Sequence, residues 1–315
     1  MLAKFEFSKS NFLRRDDSMN FQWYPGHMTK AKRMMQEDIK LIDLIIELVD
    51  SRIPLSSRNP DIDNLGQNKA RLILLNKSDL ADERYNEKWA EYFEKKGFFV
   101  VKVNSKSGTG LKQIHGVIQE ACKEKIERDK RRGIKNRPIR AMVAGIPNVG
   151  KSTFINSFAG RACTKTGNKP GVTKGKQWIR LNKGVELLDT PGILWPKFED
   201  QNVGLKLAMI GSIKDDILNI EELSLELLKK INKEYPQLLE IRYGIESGAN
   251  SHCEFEPQSH EFAMLTQIAI NRNCIQKGNE PDYNKTSAIL MEEFRNGKIG
   301  RITLEYPQDN EDEKD

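Results

Sequence analysis

Cysteine is scarce in this chain. Only Cys122, Cys163, Cys253 and Cys274 occur in 315 residues, and no two form a Cys-x-x-Cys pair. That spacing indicates neither a disulfide framework nor a zinc knuckle, and a reducing, cytoplasmic setting is the simple expectation. His252, Cys253 and His260 lie close together but lack a metal-ligand pattern. Long apolar runs are also missing. The best, 41–49, is interrupted by Asp43 and Glu47, so no membrane span and no membrane partner are expected. Residues 1–18 carry scattered aromatics (Phe5, Phe7, Phe12) but no continuous apolar segment of signal-peptide length. Lys4, Lys9, Arg14 and Arg15 leave a transit peptide open, Glu6, Asp16 and Asp17 count against it, and a misassigned start is the other reading. No internal repeat is visible. Charged residues make up 30% of the chain and the net charge is +6, which suits a soluble protein that meets a polyanion.

What the sequence does contain is organised around Gly145-Ile-Pro-Asn-Val-Gly-Lys-Ser152. The apolar run 141–144 precedes it, and Phe154, Ile155 and Phe158 follow at helical spacing. A glycine-rich turn between a strand and a helix lets successive backbone N–H groups converge on phosphate oxygens, with the helix dipole pointing at the same anion. Asn148, Val149, Gly150, Lys151, Ser152 and Thr153 are the candidate phosphate-binding residues. Lys151 would reach the outer phosphates and Ser152 would hold magnesium.

A base reader follows the apolar run 72–75 as Asn76-Lys77-Ser78-Asp79. The Asp79 carboxylate can accept both the N1–H and the exocyclic N2–H of guanine, a donor pair that adenine lacks, so GTP and GDP are the expected nucleotides. Asn104 and Ser105, after the run 98–103, would back the base from its other edge. Asp189-Thr-Pro-Gly192 closes the run 185–188; it supplies a magnesium ligand in Asp189 and the Gly192 N–H for the last phosphate. Thr173, in the Gly-, Lys- and Thr-rich stretch 165–176, is the candidate second magnesium ligand and a catalytic candidate beside Lys151.

These motifs stand in an unusual order. In Ras-like GTPases the phosphate loop comes first and the base reader last, whereas here Asn76 to Asp79 and Ser105 precede it, which implies a circularly permuted domain. Together with Trp23-Tyr-Pro-Gly-His-Met28 and Asp189-Thr-Pro-Gly-Ile-Leu-Trp-Pro196, this order closely resembles the ribosome biogenesis GTPase A (YlqF/RbgA) type. The resemblance runs with specific motifs from about residue 20 to 216 and more loosely to about 306. It implies an α/β fold, a circularly permuted Ras-like P-loop GTPase domain followed by a mostly helical domain. The expected division is an extension at 1–18, the GTPase domain at 19–198, and a helical domain at 199–315 that ends in an acidic tail.

Between the motifs, strands at 44–49, 72–75, 98–103, 141–144 and 185–188 alternate with helices at 28–44, 86–96 and 111–132, which argues for a parallel sheet. Residues 52–59 read as a polar turn. Helical patterns over 203–210, 220–233, 259–276 and 284–297 make up the second domain. The seam of the permutation, 122–140, carries nine Lys or Arg against three acidic residues. It reads either as a solvated helix end or as a phosphate-backbone contact.

Hydrolysis needs an oriented water, yet Ile193 occupies the place where many Ras-like enzymes carry a Gln. The resemblance implies His27 as the replacement, the other reading being a structural His near a turn. By similarity to potassium-using GTPases, Asn148 is a candidate ligand for a monovalent cation, or else stabilises the turn. The partner implied by the resemblance is the maturing large ribosomal subunit precursor with its rRNA, approached by a monomer. A nucleotide-gated RNA or protein binding module with incidental hydrolysis is the alternative. A small-subunit GTPase is less favoured, because neither the oligonucleotide-binding barrel nor the zinc motif of those families appears.

Overall fold

The computed structural model describes residues 26–134, 136–164, 177–181, 184–195, 198, 200–245 and 260–307. Its centre is a six-stranded sheet in the order β3-β2-β1-β4-β6-β5. The strands are β1 (Leu44–Asp50), β2 (Ala70–Asn76), β3 (Phe99–Val103), β4 (Ile139–Gly145), β5 (Gln177–Leu181) and β6 (Val185–Asp189). Every pairing is parallel except that of β5 with β6. β1 is buried along its whole length, as a central strand covered on both faces must be. Of the two carboxylates within it, Asp50 ends the strand and Glu47 is held by Arg58 at 3.1 Å and Arg71 at 2.9 Å.

Helices cover both faces. α3 (Glu83–Lys95), capped by Asp82, packs Trp89 and Phe93 against Val49, Ile73 and Leu75. α4 (Leu111–Ala121) lies against β2 and β3 and contributes Leu111, Ile114 and Ile118 to the larger core. The helical run expected over 111–132 breaks at Cys122, where a second helix, α5 (Lys123–Arg131), begins. α1 (Gly26–Asp38) starts earlier than the pattern suggests and ends before a short 3₁₀ turn, Ile39–Leu41. Residues 52–59 are not a solvated turn: Arg52, Ile53, Ser56, Ser57 and Asn59 are buried, and Asn59 caps α2 (Pro60–Leu65).

α6 (Lys151–Ala159) rises from the phosphate loop and packs on β4 and β6. Beyond the sheet lie α7 (Gln201–Met209), α8 (Ile220–Glu234), α9 (Pro236–Tyr243), α10 (His260–Asn271) and α11 (Tyr283–Arg295). α8 is the hub of this group. Leu223, Leu227, Leu228 and Ile231 form its buried stripe, against which α9, α10 and α11 pack. Each such fully buried leucine contributes roughly 1.5–3 kcal/mol. The last segment, 299–305, then leaves the helices and returns to the first half of the chain. There the Ile302 N–H donates to Leu80 and the Leu304 N–H to Arg52.

Candidate active site

Strand register brings the motifs to one edge. Asp50 stands beside Asn76, Asn76 beside Val103, Leu48 beside Gly145 and Val143 beside Asp189. The loops after β1, β2, β3, β4 and β6 therefore open at the carboxyl ends of parallel strands, where α/β sheets bind ligands.

Asn76 ties three of these loops together. Its Nδ2 donates to the Val149 carbonyl at 2.7 Å, while its Oδ1 accepts from the Ser105 N–H at 3.1 Å and the Ser105 hydroxyl at 2.8 Å. Gly150 lies against the same amide: a Cβ there would sit 2.5 Å from Asn76 Nδ2, and its φ of +103° favours glycine. Lys77 has φ +58°, and its ammonium donates to Asp50 Oδ2 and to the Asn148 carbonyl, both at 2.9 Å. Ser78 donates its hydroxyl to the Val103 carbonyl at 3.1 Å. Asp79 is exposed at the rim of this loop. Asn104 uses its Oδ1 to accept the N–H groups of Lys106 and Ser107, which fixes the turn after β3.

Behind Lys77 lies a feature the sequence reading missed. Asp50 and Arg52 are fully buried and joined by two side-chain contacts, at 2.9 and 2.8 Å. Burial pushes the Asp50 carboxyl up, but the charges and hydrogen bonds of Arg52 and Lys77 outweigh it and hold it well below the usual carboxylate range. Burial lowers Lys77 from the ordinary lysine value against the pull of Asp50, and the like charge of Arg52 adds to the lowering. Arg52 also stacks on the Phe294 ring, 5.1 Å from its centroid. The only local hint was a charged pair at the end of an apolar strand.

In the phosphate loop, Lys151 is buried and its ammonium donates to the carbonyls of Gly145 at 2.9 Å and Ile146 at 2.8 Å. Burial brings its pKa down to about 8, against the opposing charge of Asp189. Asp189 is itself buried at the end of β6, and Thr190 fixes that turn by donating to the Val143 carbonyl at 2.7 Å. Gly192 touches the phosphate loop closely: a Cβ would fall 2.8 Å from Lys151 Nζ and 2.9 Å from Pro147. Ser152 and Thr153 are half-buried on the first turn of α6, and Val149 is fully buried.

The other end of the loop is grasped by the helices. Asn148, at φ +57°, donates its Nδ2 to the Gly211 carbonyl at 2.6 Å, and Ser212 donates its hydroxyl to the Pro147 carbonyl at 2.8 Å. Neither Gly211 nor Ser212 carries a sequence signal. His27 lies in the first turn of α1, and its side chain is outside the described residues. Thr173, Trp23, Tyr24, Pro25, Pro196, His252 and Cys253 also lie outside them. Among the described residues there is no cluster of three His, Cys, Asp or Glu that could hold a metal on its own, and no helix is long and apolar enough to cross a membrane.

A sheet parallel but for β5, with the Gly145–Ser152 loop after β4 and Asn76–Asp79 after β2, has the order of a circularly permuted P-loop GTPase. Residues 140–245 match the family model described as 50S ribosome-binding GTPase, which leaves β1 to β3 uncovered. The ribosome biogenesis GTPase A of Bacillus cereus is 47% identical over 291 residues, covering 92% of this chain and 95% of the relative. The Thermotoga maritima protein of that name is 32% identical over 91% of this chain and 95% of its own. The crystal structure of GNP-bound YlqF from T. maritima superposes with a TM-score of 0.59 at 27% identity, covering 89% of this chain and 99% of that one. The chain belongs to the ribosome biogenesis GTPase A family, and its reaction is the hydrolysis of GTP.

Proposed function

We propose that this protein acts as a monomer on the maturing large ribosomal subunit, binding its rRNA when loaded with GTP and hydrolysing the nucleotide to promote a late assembly step. The observation that carries the nucleotide half of this reading is the Asn76 amide. It bonds the Gly145–Ser152 loop at Val149 and the loop after β3 at Ser105, which supports reading the three loops as one nucleotide site. The partner is inferred from the relatives, which carry the ribosome in their names over more than nine-tenths of this chain. T. maritima YlqF has been solved in GNP-bound and GDP-bound forms, and the same two nucleotide states are proposed here.

In this reading Asp79 accepts the guanine edge, while Asn76, Lys77, Ser78, Asn104 and Ser105 hold the loops that frame it. The N–H groups of Asn148 to Thr153 cradle the phosphates. Lys151 exchanges its carbonyl acceptors for phosphate oxygens, which are charged and so bind an ammonium more strongly. Gly192 presents its N–H to the last phosphate. Ser152, Asp189 and Thr173 would supply oxygen donors of the kind magnesium takes, and that ion would neutralise phosphate charge when bound. Asn148 commits its amide nitrogen to Gly211, which leaves its oxygen as the end able to ligate a monovalent cation such as potassium.

Ile193 is buried in the core and offers no polar side-chain atom, so water orientation is assigned to His27. A GTPase without a built-in Gln is slow alone. Completion of the site by the ribosomal particle would raise the rate by about 10³ to 10⁵. Sucrose-gradient sedimentation with purified subunits tests the partner: co-migration with large subunits is expected with a non-hydrolysable GTP analogue and release with GDP. Co-migration indifferent to nucleotide, or equal with small subunits, would contradict it.

A further inference from the structure

The loop that carries Asp79 is held on two sides. Its inner side meets the phosphate loop through Asn76 and Lys77, as described above. Its outer side is a run of backbone carbonyls, and these are taken up by the segment 297–305, more than two hundred residues further along the chain. Arg301 donates its Nε to the Asp79 carbonyl at 3.1 Å and reaches the Ser78 carbonyl at 3.5 Å, where Asn86 Nδ2 also donates at 2.9 Å. The next residue, Ile302, donates its N–H to Leu80 at 3.0 Å, and Thr303 accepts the Asp82 N–H on its hydroxyl at 3.1 Å. The carbonyls of Asp79 and Leu80 and the cap of α3 are thus fixed by three consecutive residues.

The segment is itself anchored so that it can act as a splint. Arg301 is paired with Glu83 at 3.1 Å, and the Glu305 carbonyl accepts from Trp89 Nε1 at 3.0 Å. The Glu305 carboxylate accepts the Leu55 N–H at 2.8 Å, the Ser56 N–H and hydroxyl, and the Lys206 ammonium at 2.9 Å. Lys206 is on α7, so the splint also reaches the helices beyond the sheet. From the same side, Arg52 contacts the Phe294 ring and steadies Asp50, the partner of Lys77.

We propose that Arg301 is a positioning residue for guanine recognition: by fixing the Asp79 carbonyl it sets where the Asp79 carboxylate meets the base, and it ties nucleotide affinity to the seating of the segment 297–305. The inference rests on the assignment of Asp79 as base reader. A carboxylate that must accept two parallel N–H groups at once tolerates little displacement of its backbone, so loss of a support behind it is felt most by the second hydrogen bond. By thermodynamic reciprocity, any partner that unseats this segment weakens guanine nucleotide binding, and bound nucleotide resists the unseating to the same extent.

Arg301 is exposed, so its removal should leave the fold intact. The test is the affinity and dissociation rate of GDP and of IDP, which lacks the exocyclic amino group, for the wild type, Arg301→Ala and Asp79→Asn. In Arg301→Ala we expect GDP to dissociate about three- to tenfold faster, the scale of one hydrogen bond, and the preference for GDP over IDP to shrink by a similar factor. GDP and IDP weakened equally, or neither changed, would overturn the positioning role. Asp79→Asn reports on the underlying assignment separately, because a true base reader turns the preference toward xanthosine diphosphate. If Asp79→Asn fails to do so, the base-reader assignment falls; if it does so while Arg301→Ala leaves the GDP/IDP ratio intact, only the positioning role falls.

Discussion

The Asn76 side-chain nitrogen lies 2.7 Å from the Val149 carbonyl oxygen, joining two loops that are 73 positions apart in the sequence. Because the same amide accepts from Ser105, one buried side chain sets the spacing between the loops after β2, β3 and β4, the proposed base and phosphate ends of the site. Asn76→Asp keeps the acceptor but replaces the donor with a carboxylate facing a carbonyl. The expected cost is about 1–3 kcal/mol, the scale of an unsatisfied buried polar group, and it should fall on GTP and GDP alike. Fluorescence titration with both nucleotides measures it; a loss confined to GTP would contradict the spacing role.

If Lys151 meets the phosphates as proposed, nucleotide affinity is expected to depend on pH. Lys151 has its pKa lowered to about 8, chiefly by burial. Phosphate binding favours the charged ammonium and so raises that pKa in the complex. Below about pH 8 the group is already protonated and affinity is flat in this respect. Above it, binding must take up a proton, so affinity falls as pH rises, by at most about tenfold per unit until the pKa of the complex is reached. Isothermal titration in buffers of different ionisation enthalpy at pH 8.5 should show proton uptake. Proton release, or affinity that rises with pH, would contradict the assignment.

Arg52 is almost completely buried and carries one of the two charges that offset Asp50. Arg52→Ala leaves a buried carboxylate with only Lys77 as its cationic partner. A loss of about 3–5 kcal/mol in unfolding free energy is expected in urea, the scale for breaking a buried pair on one side. Replacing both residues, as in Asp50→Asn with Arg52→Met, should recover part of that loss. A double variant no better than the single would show that the pair's charge balance is not what matters.

The motifs that define the pocket were legible in the sequence because each is local. A glycine-rich turn, an Asn-Lys-Ser-Asp after an apolar run and an Asp-x-x-Gly need only their neighbours to be recognised. Two short helices carry only a terminal signal: α2 begins Asn59-Pro60 and α9 begins Tyr235-Pro236, each with proline in the first turn. β5 left almost none. It is an edge strand with Ile179 as its one buried residue, so it shows no buried alternation. The supports of the pocket were illegible for another reason. Arg52 with Phe294, Asn148 with Gly211 and Asp79 with Arg301 are long-range pairs whose residues look, in isolation, like ordinary surface charges and turns.

The seam of the permutation divides its charges. Lys125 and Arg137 lie near Asp43 and Asp129, and Arg140 pairs with Glu186, whereas Arg128, Lys130, Arg131 and Arg132 are exposed at the end of α5. Replacing those four by Gln should lower the salt dependence of binding to ribosomal particles. The expected change in slope is roughly 0.7 to 0.9 for each phosphate contact removed, with GTP affinity unchanged. An unaltered slope would make the seam a solvated connector.

Single-turnover GTP hydrolysis with purified large subunits is the most direct test of an assembly GTPase completed by its particle. With saturating GTP, large subunits should raise the rate constant of the wild type by at least about 10³, and small subunits should not. His27→Ala should bind GTP normally yet lose most of that rate, as expected for a group that acts only in the transition state. A rate constant indifferent to large subunits, with nucleotide-dependent binding to them preserved, would contradict the account and leave a binding module whose hydrolysis is incidental.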